Sequence, residues 1–370
     1  MTAIDTMREV LNHPDQLIEK WKVDGKKIVA HRCTYVPEEM ILAAGMIPYP
    51  TFGTPEAITK ADSYFQSCVC EYIRNIFDQA LDNKYSFADA LVVANTCDTV
   101  RKLHDHWNTY IEGSQCYIIN NPQMLQNSNN RDFYLQELQR FKKWLEDISG
   151  NEVTNEALQK AIHLYNENRS LLRELYSLRK SDPPLISGTE ALEISMASTL
   201  MTKEEANKLL RQLIDEVKAR NDGGVEGPRI LLTGGIIDNP DLVRMVEECG
   251  AAVVADDLCT SARTFWYDVK DNGNPLEAIY NYNNDRVVCA CMHPFEARYD
   301  YLYDMAKEYQ VDGVIYFNMM HCHPFLFECP LYKDKLQAAD IPTITLETGH
   351  DLSGIGQLRT RVQAFVEMLG

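Results

Sequence analysis

Residues 229–257, RILLTGGIIDNPDLVRMVEECGAAVVADD, read as an apolar strand, a glycine turn, an amphipathic helix and a second apolar strand. Strand, helix and strand in that order need a parallel crossover, so this stretch alone points to an open α/β sheet. The same grammar continues to the C-terminus. GVIYFNM (313–319) and PTITLE read as strands, FEARYDYLYDMAKEYQ and GQLRTRVQAFVEML as helices, and DRVVCAC (285–291) as a further strand. It also runs through the first third of the chain. Helix 5–22, strand KKIVAHRC (26–33), helix 37–45, helix 64–82, strand ADALVVANTC (88–97) and strand QCYIIN (115–120) follow in turn. Between these halves lie two long amphipathic helices over 131–180, stopped by Pro183-Pro184, and further helix over 190–220. The chain therefore predicts an α/β fold of two Rossmann-like parallel-sheet domains, 1–130 and 226–370, around a helical segment, 131–225.

Composition narrows the function. In 370 residues, 36 Lys and Arg face 54 Asp and Glu, for a net charge of -18. So negative a surface repels nucleic-acid phosphates and anionic lipids, so neither is an expected partner. No apolar run approaches the ~20 residues a membrane helix needs, and the opening residues lack the pattern of a secretory signal. A cytoplasmic protein is expected.

Eleven cysteines are then anomalous, because a reducing compartment disfavours structural disulfides. Their placement is not random. Cys33, Cys97, Cys259, Cys291 and Cys322 fall at or just after predicted strand ends, where open parallel sheets bind ligands. Cys70 lies near a helix start, where the dipole favours a thiolate. Cys116, Cys249 and Cys329 read as core, and Cys68 as a non-ligand. Cys289 and Cys291 share one face of the predicted strand, and Cys291, nearer its carboxyl end, is the expected ligand of the two.

Six converging thiolates need a cation. Zinc favours paired C-x2-C spacings, which are absent, whereas iron–sulfur clusters accept one thiolate per iron from scattered loops. The local ferredoxin signature is also absent. Leu232-Thr233-Gly234-Gly235 matches neither dinucleotide nor Walker pattern and reads as a tight strand-to-helix turn, and the chain has no phosphate loop.

HRCTYVPEEMILAAG (31–45), ANTCDT (94–99), VADDLC (254–259), CACMHP (289–294) and DGVIYFNMMHC (312–322) resemble the 2-hydroxyacyl-CoA dehydratase and benzoyl-CoA reductase superfamily, along nearly the whole chain. In its dehydratase branch the resemblance implies one [4Fe-4S] cluster held by Cys70, Cys97 and Cys322, with one iron open to substrate. Cys33, Cys259 and Cys291 resemble those of the double-cubane branch, implying an [8Fe-9S] double cubane on six cysteines. That branch implies a homodimeric, low-potential oxidoreductase reducing a small-molecule substrate with electrons from a separate ATP-hydrolysing iron–sulfur activator, with ATP bound there and not on this chain. The alternative is the [4Fe-4S] subunit of a 2-hydroxyacyl-CoA dehydratase, a lyase paired with a different chain. Proton donors are sought among His321, His323, His293 and Glu39, the last at the helix start after Cys33; His323 and Glu39 are the chosen candidates.

Overall fold

A computed structural model describes residues 2–125, 127–220, 225–286, 289–352 and 354–370. The chain forms two four-stranded, all-parallel sheets. The first holds β1 (Ile28–Arg32), β2 (Ile47–Pro50), β3 (Ala90–Ala94) and β4 (Gln115–Ile119) in the order β2-β1-β3-β4. The second holds β5 (Arg229–Gly234), β6 (Ala252–Asp257), β7 (Gly313–Met319) and β8 (Thr343–Thr348) in the order β6-β5-β7-β8. The two orders are the same. In each half the chain adds its second strand on one side of the first, then crosses back to add the third on the other. The gap between first and third strands is therefore a topological switch point, the place where open α/β sheets form a crevice. β1 and β3 flank it in one half, β5 and β7 in the other.

The central strands explain themselves by composition. ALVVA of β3 and GVIYFNM of β7 are buried at every residue, as strands covered on both faces must be. Gly234 closes β5 with φ +122, and a Cβ there would stand 1.9 Å from the Phe317 carbonyl oxygen of β7. Only glycine lets the two strands part so closely, and the expected tight turn after LTGG is this one.

Four long helices follow the first sheet in sequence: Asn130–Ser149, Asn155–Ser177, Gly188–Leu200 and Lys203–Lys218. The N-terminal helix, Ala3–Asn12, packs on the last two through Ala3, Ile4 and Met7. No helix among the described residues is long and apolar enough to cross a membrane.

Several expectations are corrected. The helix expected over 5–22 is two, Ala3–Asn12 and Pro14–Val23, because Pro14 has no N–H to continue the first and suits the first turn of the second. β2 was not expected at all; its sequence IPYP is tolerable only at a sheet edge, where it lies. The helix expected from 64 begins at Glu71, preceded by a short 3-10 turn at Ala61–Ser63. The strand expected over 285–291 is not formed in its described part. Asp285 ends the helix Pro275–Asp285, and 289–292 form a turn, while 287–288 lie outside the described residues. The helix His323–Ala338, unexpected because Pro330 lies inside it, follows β7 directly.

Candidate metal centre

Cys70, Cys97 and Cys322 occupy one local setting three times over. Each is the N-cap of a helix: Glu71–Leu81, Asp98–Tyr110 and His323–Ala338. The first turn of a helix carries free N–H groups and about half a positive charge, which together favour a sulfur anion. Cys97 and Cys322 follow β3 and β7 at the two switch points, and Cys70 joins them from the helix packed between. Cys70, Cys97, Cys259 and Cys322 pack on one apolar cluster that includes Ile236 and Met319, so the two halves meet at the thiols.

A second group completes the wall. Cys33 follows β1, Cys259 follows β6 by two residues, and Cys289 and Cys291 sit in the turn at 289–292. Cys33 has φ +96, a conformation that L side chains adopt at a cost of about 1–3 kcal/mol and that is retained chiefly where function needs it. All seven thiols line a single cavity of about 420 Å³. The six cysteines expected to converge do so, and Cys289 comes with them. Cys68 is exposed and does not line it; Cys116, Cys249 and Cys329 are buried elsewhere in the cores.

The thiols are electrostatically uneven. The Cys322 thiol hydrogen-bonds Cys70 and, with the amide groups of Ile73 and Tyr72, draws Cys70 down to about 7. Cys322 itself is held well above the usual thiol range by that same bond and by burial. Burial raises Cys97, against the opposing pull of the Thr99 hydroxyl at 3.1 Å and the Val100 amide. In the second group burial pushes Cys33 up to about 12. The bond from Cys291 brings Cys289 down to about 7 and drives Cys291 up. The Cys291 N–H also points to the Cys289 sulfur, at 3.5 Å.

Two arginines face this wall. Arg263 Nη1 donates to Cys259 Sγ at 3.2 Å. Arg32 lines the cavity with its guanidinium 4.4 Å above the Tyr72 ring. Arg263 is held by a buried lattice of charge: Asp257 pairs with both Arg263 and Arg298, and Arg298 reaches Glu328. Sequence reasoning missed these residues, since no local motif links Asp257 to Arg298 across some forty positions.

Do these residues fit an iron–sulfur cluster? Thiols raised by burial ionise only against a compensating cation, so the cavity is built for positive charge. Among the described residues no three Cys, His, Asp or Glu side chains converge on a single metal ion. Spread thiolates of this kind suit a multinuclear cluster, in which each iron takes one protein sulfur. The donor set fits.

Of the proton-donor candidates, His321, His323 and His293 line the same cavity, with His323 and His293 exposed at its mouth. Glu39 does not. Its carboxylate is buried 2.5 Å from Arg169 Nη2, in a separate small crevice with Tyr165 and Lys203. That ion pair ties the helix after β1 to the helical segment, and it holds Glu39 outside the thiol-lined cavity. A larger cavity of about 1080 Å³ lies elsewhere and is lined by no cysteine; His350 and Asp238, 3.1 Å apart, form part of its wall.

This fold and this thiol-lined crevice define an α/β protein of two parallel sheets with a candidate metal centre between them. The sequence matches the family 2-hydroxyglutaryl-CoA dehydratase, D-component, over residues 33–369, and the chain belongs to that family. It is 29% identical to an (R)-phenyllactyl-CoA dehydratase beta subunit of Clostridium sporogenes, across 98% of this chain and 97% of the other. It is 28% identical to the beta subunit of (R)-2-hydroxyglutaryl-CoA dehydratase of Acidaminococcus fermentans, across 99% and 98%. One subunit of the benzoyl-CoA reductase of Thauera aromatica is 24% identical, across 95% and 93%. The chain is thus an enzyme subunit of a dehydratase and reductase family.

Proposed function

We propose that this chain is the iron–sulfur subunit of a 2-hydroxyacyl-CoA dehydratase-type enzyme working in the reducing cytoplasm. It receives its electron from a separate ATP-hydrolysing activator and pairs with a second, homologous chain. The observation that carries the reading is the convergence of Cys70, Cys97 and Cys322, three helix N-caps, on one open cavity. The dehydratase names of the relatives weigh toward this reading over the double-cubane reductase first suggested by the cysteine pattern.

In this reading Cys70, Cys97 and Cys322 hold a [4Fe-4S] cluster, which when bound would supply one-electron chemistry and an iron open to the substrate. The chain's own residues do the rest. The three helix starts stabilise the thiolates. The apolar cluster with Ile236 and Met319 keeps water from their inner side. His321, His323 and His293, at the cavity wall and mouth, are placed to carry protons to a bound thioester. The test is dehydration of a 2-hydroxyacyl-CoA by reconstituted protein with its homologous second chain, an activator and ATP under anaerobic conditions. Turnover that requires every one of these components supports the reading; no turnover with all of them present overturns it.

One observation favours a second reading. Cys33, Cys259 and one of Cys289 and Cys291 make a second set of three thiols in the same cavity. Two sets match an [8Fe-9S] double cubane in a homodimeric reductase of small molecules. About eight irons per chain and self-association would favour this reading, about four irons and a different partner chain the first.

A further inference from the structure

We infer that Arg263 is a positioning residue that raises the reduction potential of iron held at Cys259. The inference rests on the second reading, in which Cys259 is a ligand, and adds to it a device that sets the potential of one end of the centre.

Arg263 is fully buried, and its donors are nearly all assigned. Nε and Nη2 bind the two oxygens of Asp257 at 2.8 Å each, in a bidentate fork. Nη2 also donates to the Gly234 carbonyl at 2.9 Å, in the turn where β5 parts from β7. The remaining arm, Nη1, reaches the Cys259 sulfur at 3.2 Å. Asp257 in turn accepts from Arg298 at 2.8 Å, and Arg298 Nε binds Glu328 at 2.8 Å. Glu328 also accepts the Tyr316 hydroxyl at 2.6 Å. Two arginines and two carboxylates balance, so the lattice is electrically self-contained and does not need the sulfur to satisfy its charge. A planar fork fixed on one side by a carboxylate aims its other edge with little freedom.

Hydrogen bonds to the sulfurs are among the levers that set cluster potentials. An N–H donated to a cysteine sulfur draws charge from it and stabilises the more negative, reduced state. Burial strengthens the effect, because no water competes for the donor. The other thiols bond amide N–H groups, hydroxyls or a neighbouring thiol; among the described residues Cys259 is where a guanidinium bonds sulfur directly. A purely supporting Arg263 would hold Asp257 and leave the potential untouched.

Arg263→Lys separates these roles, because it keeps a cation beside Asp257 and loses the planar fork that aims a donor at the sulfur. Asp257 keeps Arg298 as its partner, so the carboxylate is not stranded. With iron content equal to wild type, an EPR-monitored titration should show the potential lowered by about 59 mV or more, equivalent to a tenfold change for one electron. Full iron with an unmoved potential overturns the inference. Should the variant not fold, wild-type protein labelled with 15N-arginine answers the same question. A 15N hyperfine coupling in the reduced state supports the bond to sulfur, and its absence overturns it. Cys259→Ser that retains all iron also overturns it while leaving the Cys70, Cys97 and Cys322 site standing. Iron-free wild type overturns both.

Discussion

The two sets of thiols in one cavity are held by opposite means. Cys70, Cys97 and Cys322 are helix N-caps, and their backbone support is local: amides two or three residues on. Cys33, Cys259, Cys289 and Cys291 sit on strand ends and a turn, and Cys259 among them is held from a distance. Arg263 is fixed by Asp257 of its own stretch and, through it, by Arg298 and Glu328 from two other helices. A site made from helix starts needs little beyond its own sequence neighbourhood. A site made from a buried charge lattice depends on the finished fold, and a single change in the lattice should damage it.

The largest effect is expected at the local set. Cys97→Ser or Cys322→Ser replaces a soft thiolate with a hard hydroxyl, which is a poor iron ligand. Each should remove most of one cluster, about four irons, and with it activator-dependent turnover. Melting of the fold should change little, since the apolar cluster around them remains. Iron determination beside circular dichroism checks both halves of that statement.

The distant set should break the other way, through stability. Asp257→Ala strands Arg263 and Arg298 in the core without their shared carboxylate and should cost about 3–5 kcal/mol of folding free energy. Denaturant unfolding measures it. The sign with pH follows from the same contacts. Despite burial, Arg263 and Arg298 hold the Asp257 carboxyl well below the usual carboxylate range. Its contribution is therefore present above the unfolded value of about 3.9 and is lost as pH falls through the depressed folded value. Between pH 7 and 5 that contribution should stay constant.

A finer comparison lies within the turn at 289–292. Cys291 was the expected ligand because both cysteines were placed on one strand face, and the described residues form a turn instead. In the turn the thiolate is favoured on Cys289, which accepts hydrogen bonds from the Cys291 side chain and amide. If this set carries iron, Cys289→Ser should lose more of it than Cys291→Ser. The reverse result would restore Cys291. Cys68→Ala, exposed and outside the cavity lining, should lose none.

The smallest structural disturbance is expected at the mouth. His323→Ala removes an exposed imidazole beside Cys322 without touching a thiol. Turnover should fall ~10²-fold at unchanged iron content if His323 carries the proton. Unchanged turnover would pass that role to His321, His293 or water.

The same contrast between local and distant support explains what the sequence disclosed. Strand ends and glycine turns are local, so both sheets and the cleft position of Cys33, Cys97, Cys259 and Cys322 were legible. Cys70 was legible as a helix-start thiol even though the expected helix began seven residues early. β2 was hidden because prolines mask an edge strand, and the helix after Cys322 because Pro330 interrupts its pattern. The place of Glu39 away from the cleft was hidden for the same reason that Arg263 stayed invisible. Each is defined by a partner far away in sequence: Arg169 for Glu39, which lies away from the cleft, and Arg298 with Glu328 for the lattice behind Cys259.

The central claim is that this cavity holds an iron–sulfur cluster through three helix N-caps. The most direct measurement is iron and acid-labile sulfide per chain, on anaerobically purified wild type and on the triple variant Cys70→Ser, Cys97→Ser, Cys322→Ser. The account predicts at least about four irons in wild type, with a matching sulfide content, and about four fewer in the triple variant. Wild type that stays iron-free after reconstitution, or a triple variant that keeps its full complement, would contradict it.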